Sequence, residues 1–323
     1  MSRPCRICGA VAAHRVGSVE YLHGLPCEIF DCHSCGCRWT PPDAAVHSRL
    51  HATPAVSYYL EYRDLLDQCR RLAQEHDTEG VERLLRTQPK YRFVLDRLRE
   101  CAPQGRVLEW GCSRGYLTAA SILAGRQVLG VDVSPEAVAA ARAAFGDHFV
   151  SADSPRIEKG APYDAIYHVG LIGCVPDPVG LTRRLAGLLG PGGRLFFNAP
   201  NRGALFQRGQ LWFDSAPPPE LITLFPGGFF KRHCSDLGTV VETIATSSAQ
   251  ESTVKTLTRW AGPAWQPPEA HAIDSNRAHR WRQPRPPALW AAFEAAVAKI
   301  AAVTGLRVGR WPEEYGYFVE MTR

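Results

Sequence analysis

No run of apolar residues in this sequence approaches the roughly 18 that a membrane-spanning helix needs. The opening MSRPCRICG has no apolar segment of the kind a secretory signal uses, so a cytoplasmic protein is expected. Lysine is scarce: nearly all of the 37 basic residues are Arg, and they are dispersed. With many Ala, this fits a GC-rich coding sequence. The net charge of +5 is mild for 323 residues. A nucleic-acid footprint would gather its cations on one element, so nucleic acid is not the expected partner. The balance of 45% hydrophobic and 21% charged residues is that of a folded, soluble chain.

Cysteine, by contrast, is abundant and uneven: of 11, six (Cys5, Cys8, Cys27, Cys32, Cys35 and Cys37) fall in the first 37 residues. CRIC at 5–8 and CHSC at 32–35 give two C-x2-C pairs separated by 23 residues. Each pair can turn two thiolates toward one ion, and two pairs complete the tetrahedral sulfur set that Zn2+ prefers. Gly9 and Gly36 follow the pairs, and short alternating apolar runs lie between them, as in a zinc ribbon. The expected ligands are Cys5, Cys8, Cys32 and Cys35, with Cys27, His33 and Cys37 as near alternatives. Four protein ligands close the site, which makes it structural rather than catalytic.

Residues 1–45 are therefore read as a zinc-binding module, and 46–104 as a helical bridge or cofactor lid. In the bridge, Leu65, Leu66, Cys69, Leu72, Val81, Leu84, Leu85, Val94, Leu95 and Leu98 recur at helical spacing, with Gly80 and Pro89 as expected punctuation. Tyr58, Tyr59 and Tyr62 are either core or an aromatic lid. Residues 105–323 then read as an α/β domain with an insertion at about 202–290. GRVLEW followed by GCSRGYLTAASILA is strand, glycine turn and helix, with Gly111 and Gly115 leaving the backbone open to a ligand. The next strand ends in Asp132, 21 residues after Gly111, where an acid can accept both hydroxyls of a ribose. Ser134-Pro135-Glu136 caps the helix that follows. The dinucleotide pattern G-x-G-x-x-G is missing, which argues against a dehydrogenase.

VLEWGCSRGYLT and VLGVDVSPEAVAAAR resemble the first two motifs of class I S-adenosylmethionine (SAM)-dependent methyltransferases. HFVSADS, YDAIYHVGLIGCVPDP, GGRLFFNAPN and the final YGYFVEMTR keep that family's strand order. Together with the CxxC pairs and LWFDSAPPPELITLF, the chain is similar to zinc-containing bacterial methyltransferases of natural-product and sugar metabolism. The resemblance implies a Rossmann-like seven-stranded sheet with helices on both faces. It implies that Gly111 and Gly115 line the methionine part of SAM and that Glu109 holds its amino group through water. Asp132 would hold the ribose and Asp153 the adenine amino group, with Val133 and His168 beside the cofactor.

The reacting residue is less legible, because methyl transfer from a sulfonium needs alignment before it needs a base. After the fourth strand there is no N-P-P-Y or D-P-P-Y platform for nucleobase amines. Where many small-molecule relatives carry Glu-His, this chain has Gly173-Cys174. His168 is the first candidate base and His233 the second. Tyr167, Asn198, Asn201, Trp212, Asp214 and Glu220 are candidate acceptor contacts. Residues 246–287, rich in Pro and Trp, are expected to form an acceptor-side wall or a homodimer contact, and 288–302 an amphipathic helix. The leading expectation is transfer to a small-molecule acceptor. Attack at another carbon of SAM, releasing methylthioadenosine, is the alternative. RNA methylation and SAM sensing without turnover follow.

Overall fold

A computed structural model of the protein describes residues 3–21, 25–42, 63–208, 210–213, 216–244 and 316–323, with the isolated residues 296 and 299. The two cysteine pairs bracket a hairpin of β1 (Ala13–Tyr21) and β2 (Leu25–Cys32), followed by the short β3 (Arg38–Trp39). The alternating apolar pattern between the CxxC pairs thus forms a ribbon.

Three helices follow: α1 (Arg63–Gln74), α2 (Thr78–Leu85) and α3 (Pro89–Cys101). Pro89 opens α3 as expected. Gly80, however, does not break a helix: it lies in the first turn of α2, where its amide donates to the capping carboxylate of Asp77 at 2.9 Å. The cap, rather than the glycine, starts the element. Tyr58, Tyr59 and Tyr62 lie outside the described residues.

Strands and helices then alternate: β4 (Arg106–Trp110), α4 (Tyr116–Leu123), β5 (Gln127–Asp132), α5 (Pro135–Phe145), β6 (Phe149–Ser151), α6 (Arg156–Lys159), β7 (Tyr163–His168), α7 (Pro178–Gly187) and β8 (Leu189–Pro200). The chain continues through α8 (Arg202–Arg208), β9 (Thr223–Leu224), α9 (Phe229–His233), β10 (Thr239–Thr243) and β11 (Gly316–Thr322). The seven-stranded sheet has the order β10-β11-β8-β7-β4-β5-β6. Strands β8, β7, β4, β5 and β6 are parallel, while β11 runs antiparallel to β8 and β10 antiparallel to β11. This is the Rossmann-like sheet expected from the sequence. Residues 239–243, read as part of the insertion, form its edge strand. The segments 246–287 and 288–302 fall outside the described residues, apart from Ala296 and Lys299.

Side-chain alternation divides the sheet into two cores. Val107, Ala165, Tyr167 and Phe196 face α3 and α4, against Tyr91, Val94, Leu98 and Leu117. Leu108, Trp110, Ile166, Leu195 and Phe197 face the other way, where they join Phe30 and Trp39 of the cysteine-rich ribbon and Phe225, Phe229 and Phe230. Each fully buried phenylalanine contributes on the order of 1.5–3 kcal/mol. The ribbon is therefore built into the main core, and β9 joins it covalently remote: Arg38 pairs with Leu224 and Trp39 with Thr223, completing a sheet of order β1-β2-β3-β9. Among the described residues, no helix is long and apolar enough to cross a membrane.

Candidate active site

The strand order changes direction between β4 and β7, and a crevice at the carboxyl ends of those strands is where open α/β sheets receive ligands. The turn from β4 to α4 lies there. Gly111, Ser113 and Gly115 all take positive φ (79°, 50° and 81°). At Gly115 a side chain is excluded twice over, since a Cβ would come within 2.5 Å of the Phe149 ring. Gly111 and Cys112 donate their amides to Val131 O at 2.7 and 2.9 Å, tying the turn to β5.

Asp132 ends β5 as the sequence predicts. Its two carboxylate oxygens accept from Ser113 N at 2.7 Å and Ser134 N at 2.9 Å. It is mostly buried, and that burial raises its pKa against the pull of these amides. Ser134 caps α5, accepting from Ala137 N at 3.2 Å. Val133 is 65% exposed, an uncommon position for a large apolar side chain, and Asp153 is exposed after β6.

Glu109 faces inward. Its Oε2 accepts from the Thr118 hydroxyl and, at 3.0 Å, from the Tyr167 hydroxyl, joining β4 to α4 and β7. Burial, with the nearby Asp132 charge adding, pushes its pKa up to about 8. His168 is fully buried, stacked on Phe197 at 4.4 Å, and among the described residues neither ring nitrogen has a hydrogen-bond partner. Burial pulls its pKa down to about 3, so the ring is neutral and a weak proton acceptor at neutral pH. His233 is only partly buried, its ring against Phe229 at 4.4 Å and its carbonyl held by Arg183 of α7. Burial lowers its pKa, and Arg232 lowers it further.

Beyond β7, Gly173 has no room for a side chain: a Cβ would meet Leu221 Cδ1 at 2.4 Å, Pro200 Cγ at 2.7 Å and Thr223 O at 2.9 Å. Its carbonyl accepts the amides of Ile222 (2.8 Å) and Thr223 (2.9 Å). The Leu221 and Pro200 side chains and the Thr223 carbonyl thus occupy the space where an acid would stand. Burial raises the Cys174 thiol to about 12, and Glu220 adds to the effect, so it is held protonated. Asn198 accepts from Gly170 N at 2.8 Å, Asn201 is fully buried at the start of α8, and Trp212 donates to Ala216 O at 3.0 Å. Asp214 lies outside the described residues.

The sulfur atoms of Cys5, Cys8, Cys32 and Cys35 lie within 4.8 Å of one another, a set able to hold a metal ion. The closest pairs cross between the two knuckles: Cys5 to Cys35 at 3.8 Å and Cys8 to Cys32 at 3.7 Å. Neither Cys37 nor His33 is in the set. Arg6, between two of these cysteines, reaches away from them. Its guanidinium donates to Pro176 O (2.6 Å), Val175 O (3.4 Å), Thr223 Oγ1 (3.0 Å) and Ile222 O (3.3 Å). A second buried link joins Asp31 of β2 to Arg38 at 2.7 Å and to Arg202 of α8 at 2.8 Å. Burial would raise the Asp31 pKa, but the bonds from Arg38 and Arg202 hold it below the usual range. Arg6 and Arg202 carried no sequence signal, because their acceptors lie about 170 residues or more away along the chain.

A family described as a methyltransferase domain matches residues 75–244. The chain belongs to this family. The ubiquinone biosynthesis O-methyltransferase of Xanthomonas campestris pv. campestris (strain B100) is 32% identical over 133 residues, 39% of this chain and 56% of that enzyme. The methyltransferase-family chain thus spans little more than half that relative's length. The enzyme of the same name from Xanthomonas axonopodis pv. citri (strain 306) is 31% identical over 165 residues, 49% of this chain and 67% of its own. Among solved structures, a geranyl diphosphate C-methyltransferase from Streptomyces coelicolor A3(2) is 16% identical with a TM-score of 0.41, covering 72% of this chain and 74% of its own.

Proposed function

We propose that this protein is a SAM-dependent methyltransferase acting on a small-molecule acceptor, with a structural zinc ion in its four-cysteine cluster. The observation that carries the reading is the open turn between β4 and α4, tied to the Asp132 carboxylate at the end of the next strand. Gly111 and Gly115 keep that turn clear of side chains. Asp132 offers acceptors to ribose hydroxyls, Val133 an apolar face to adenine, and Asp153 an acceptor to the adenine amino group. Glu109 braces the turn from behind through Thr118 and Tyr167, and water would link it to the amino group of the cofactor.

SAM supplies a methyl group on a good leaving group, so alignment and exclusion of water provide most of the rate. The chain's contribution is to hold donor and acceptor in line. An acceptor that must lose a proton on methylation would pass it to solvent or to another group, because His168 is enclosed and weakly basic and Cys174 is held as a thiol. The names of the Xanthomonas relatives and the dispersed basic residues support a small acceptor over RNA.

The cysteine cluster fits zinc. A tetrahedron with Zn–S bonds of about 2.3 Å has edges of about 3.8 Å, and the two closest pairs stand at 3.8 and 3.7 Å. All 11 cysteines are free of disulfide bonds, which leaves the four of the cluster available as thiolate ligands.

The test is incubation with SAM labelled in the methyl group and a pool of small metabolites. Release of S-adenosylhomocysteine with a labelled product supports the proposal. Release of methylthioadenosine alone would overturn it in favour of attack at another carbon of SAM.

A further inference from the structure

The Arg6 guanidinium has four oxygen acceptors on two separate segments, yet no carboxylate bonds it. One segment, Val175–Pro176, leads out of the β7 loop. The other, Ile222–Thr223, enters β9. The two segments also meet each other at Gly173 O. The same β7 loop carries Leu171, whose Cδ1 would stand 3.2 Å from a Cβ on Gly111. Hydrogen bonds therefore run from the cysteine knuckle through Arg6 to the β7 loop, and the Leu171 side chain of that loop stands over Gly111 of the glycine turn. Four thiolates around a divalent ion leave a net charge of about −2, and Arg6 sits directly between two of them in sequence. A loaded cluster would anchor the Arg6 backbone, and its negative charge would favour the guanidinium nearby.

We infer that Arg6 is a positioning residue that locks Gly173–Pro176 and Leu221–Thr223 into one rim beside the glycine turn, so that metal occupancy sets the shape of that rim. The inference rests on the proposed methyltransferase reading only in naming this rim the acceptor side. Arg6 touches neither reacting group. It acts through the two segments it joins, adding four hydrogen bonds to the two that the Ile222 and Thr223 amides already make to Gly173 O. A lysine would keep the charge but present a point donor in place of a planar fork, and would hold one segment at a time.

The experiment uses the full zinc-loaded chain and its Arg6→Met and Arg6→Lys variants, read by zinc content, S-adenosylhomocysteine calorimetry and residue-resolved hydrogen exchange. In Arg6→Met, zinc content and ligand affinity are expected to stay within about twofold of the parent, while exchange at the Cys174, Ile222 and Thr223 amides rises about tenfold or more. Arg6→Lys recovers part of that protection. Exchange at those amides unchanged in Arg6→Met, or Arg6→Lys indistinguishable from Arg6→Met, overturns the inference. If Arg6→Met does not fold, the parent stripped of zinc decides: faster exchange centred on those amides and the knuckles supports it, and a uniform rise across β4 and β5 overturns it. Absence of S-adenosylhomocysteine binding by the parent would sink the methyltransferase reading, while the exchange comparison still judges Arg6.

Discussion

At the scale of single residues, two buried titratable groups set opposite pH limits on stability. The His168 pKa is about 3 in the folded protein against an ordinary 6.5. Between those values the unfolded chain binds a proton that the folded one refuses, so stability falls as pH drops from 6.5 toward 3. Glu109 is the reverse case, with a folded pKa of about 8 against 4.5. The folded protein keeps a proton that the unfolded chain releases, so stability falls as pH rises from 4.5 through 8. Each limb has a slope of at most about 1.4 kcal/mol per pH unit, and the two oppose each other between 4.5 and 6.5. Denaturant unfolding at a series of pH values is expected to show His168→Leu losing the acid limb and Glu109→Gln the alkaline one. A pH profile unchanged in either variant would reject the corresponding assignment. Asp132 gives a binding prediction at the same scale. Asp132→Asn keeps the side chain's size but loses its charge, and should weaken S-adenosylhomocysteine binding about tenfold or more by calorimetry, the size of a charged hydrogen bond.

At the scale of elements, the join between the β7 loop and β9 is tight enough to be probed by one methyl group. Gly173→Ala would drive its Cβ into Thr223 O at 2.9 Å and Leu221 at 2.4 Å. The backbone of β9 has to move, and overpacking of this kind costs about 1–3 kcal/mol. Thermal unfolding of Gly173→Ala is expected to show that loss, whereas Gly187→Ala, with nothing within 4 Å, should show little. The contrast separates what the sequence disclosed from what it hid. The glycine turn, the acid ending β5 and the Ser134 cap depend on neighbours a few residues apart, so their spacing was readable. The seventh strand, β10, lay concealed in a segment read as insertion because five residues with a half-exposed pattern carry little periodicity. The pairing of Trp39 with Thr223 spans most of the chain, and no local pattern announces it. Gly173 is the instructive case. Its sequence shows only that an acid is missing, while the packing shows that the space belongs to another strand.

At the scale of the whole molecule, the question is whether the cysteine-rich ribbon and the seven-stranded sheet unfold together. A module read as residues 1–45 suggests a separate unit, but β9 supplies a strand to the ribbon and the ribbon supplies Phe30 and Trp39 to the sheet's core. The Asp31–Arg38–Arg202 link is nearly enclosed on the ribbon side, with Asp31 and Arg38 side chains each 10% exposed. Removing one partner there would strand a buried charge, at a cost of about 3–5 kcal/mol. With so much shared, a zinc ion held by the four cysteines would stabilise the ribbon and the sheet at once. Calorimetry of the zinc-loaded protein is expected to show one transition spanning both, and a strong chelator should lower its midpoint without splitting it. Two resolved transitions, with only the smaller one sensitive to the chelator, would mean that the ribbon is an appended domain. The shared core would then be too weak to couple them, and metal loss would leave the rim of the glycine turn intact.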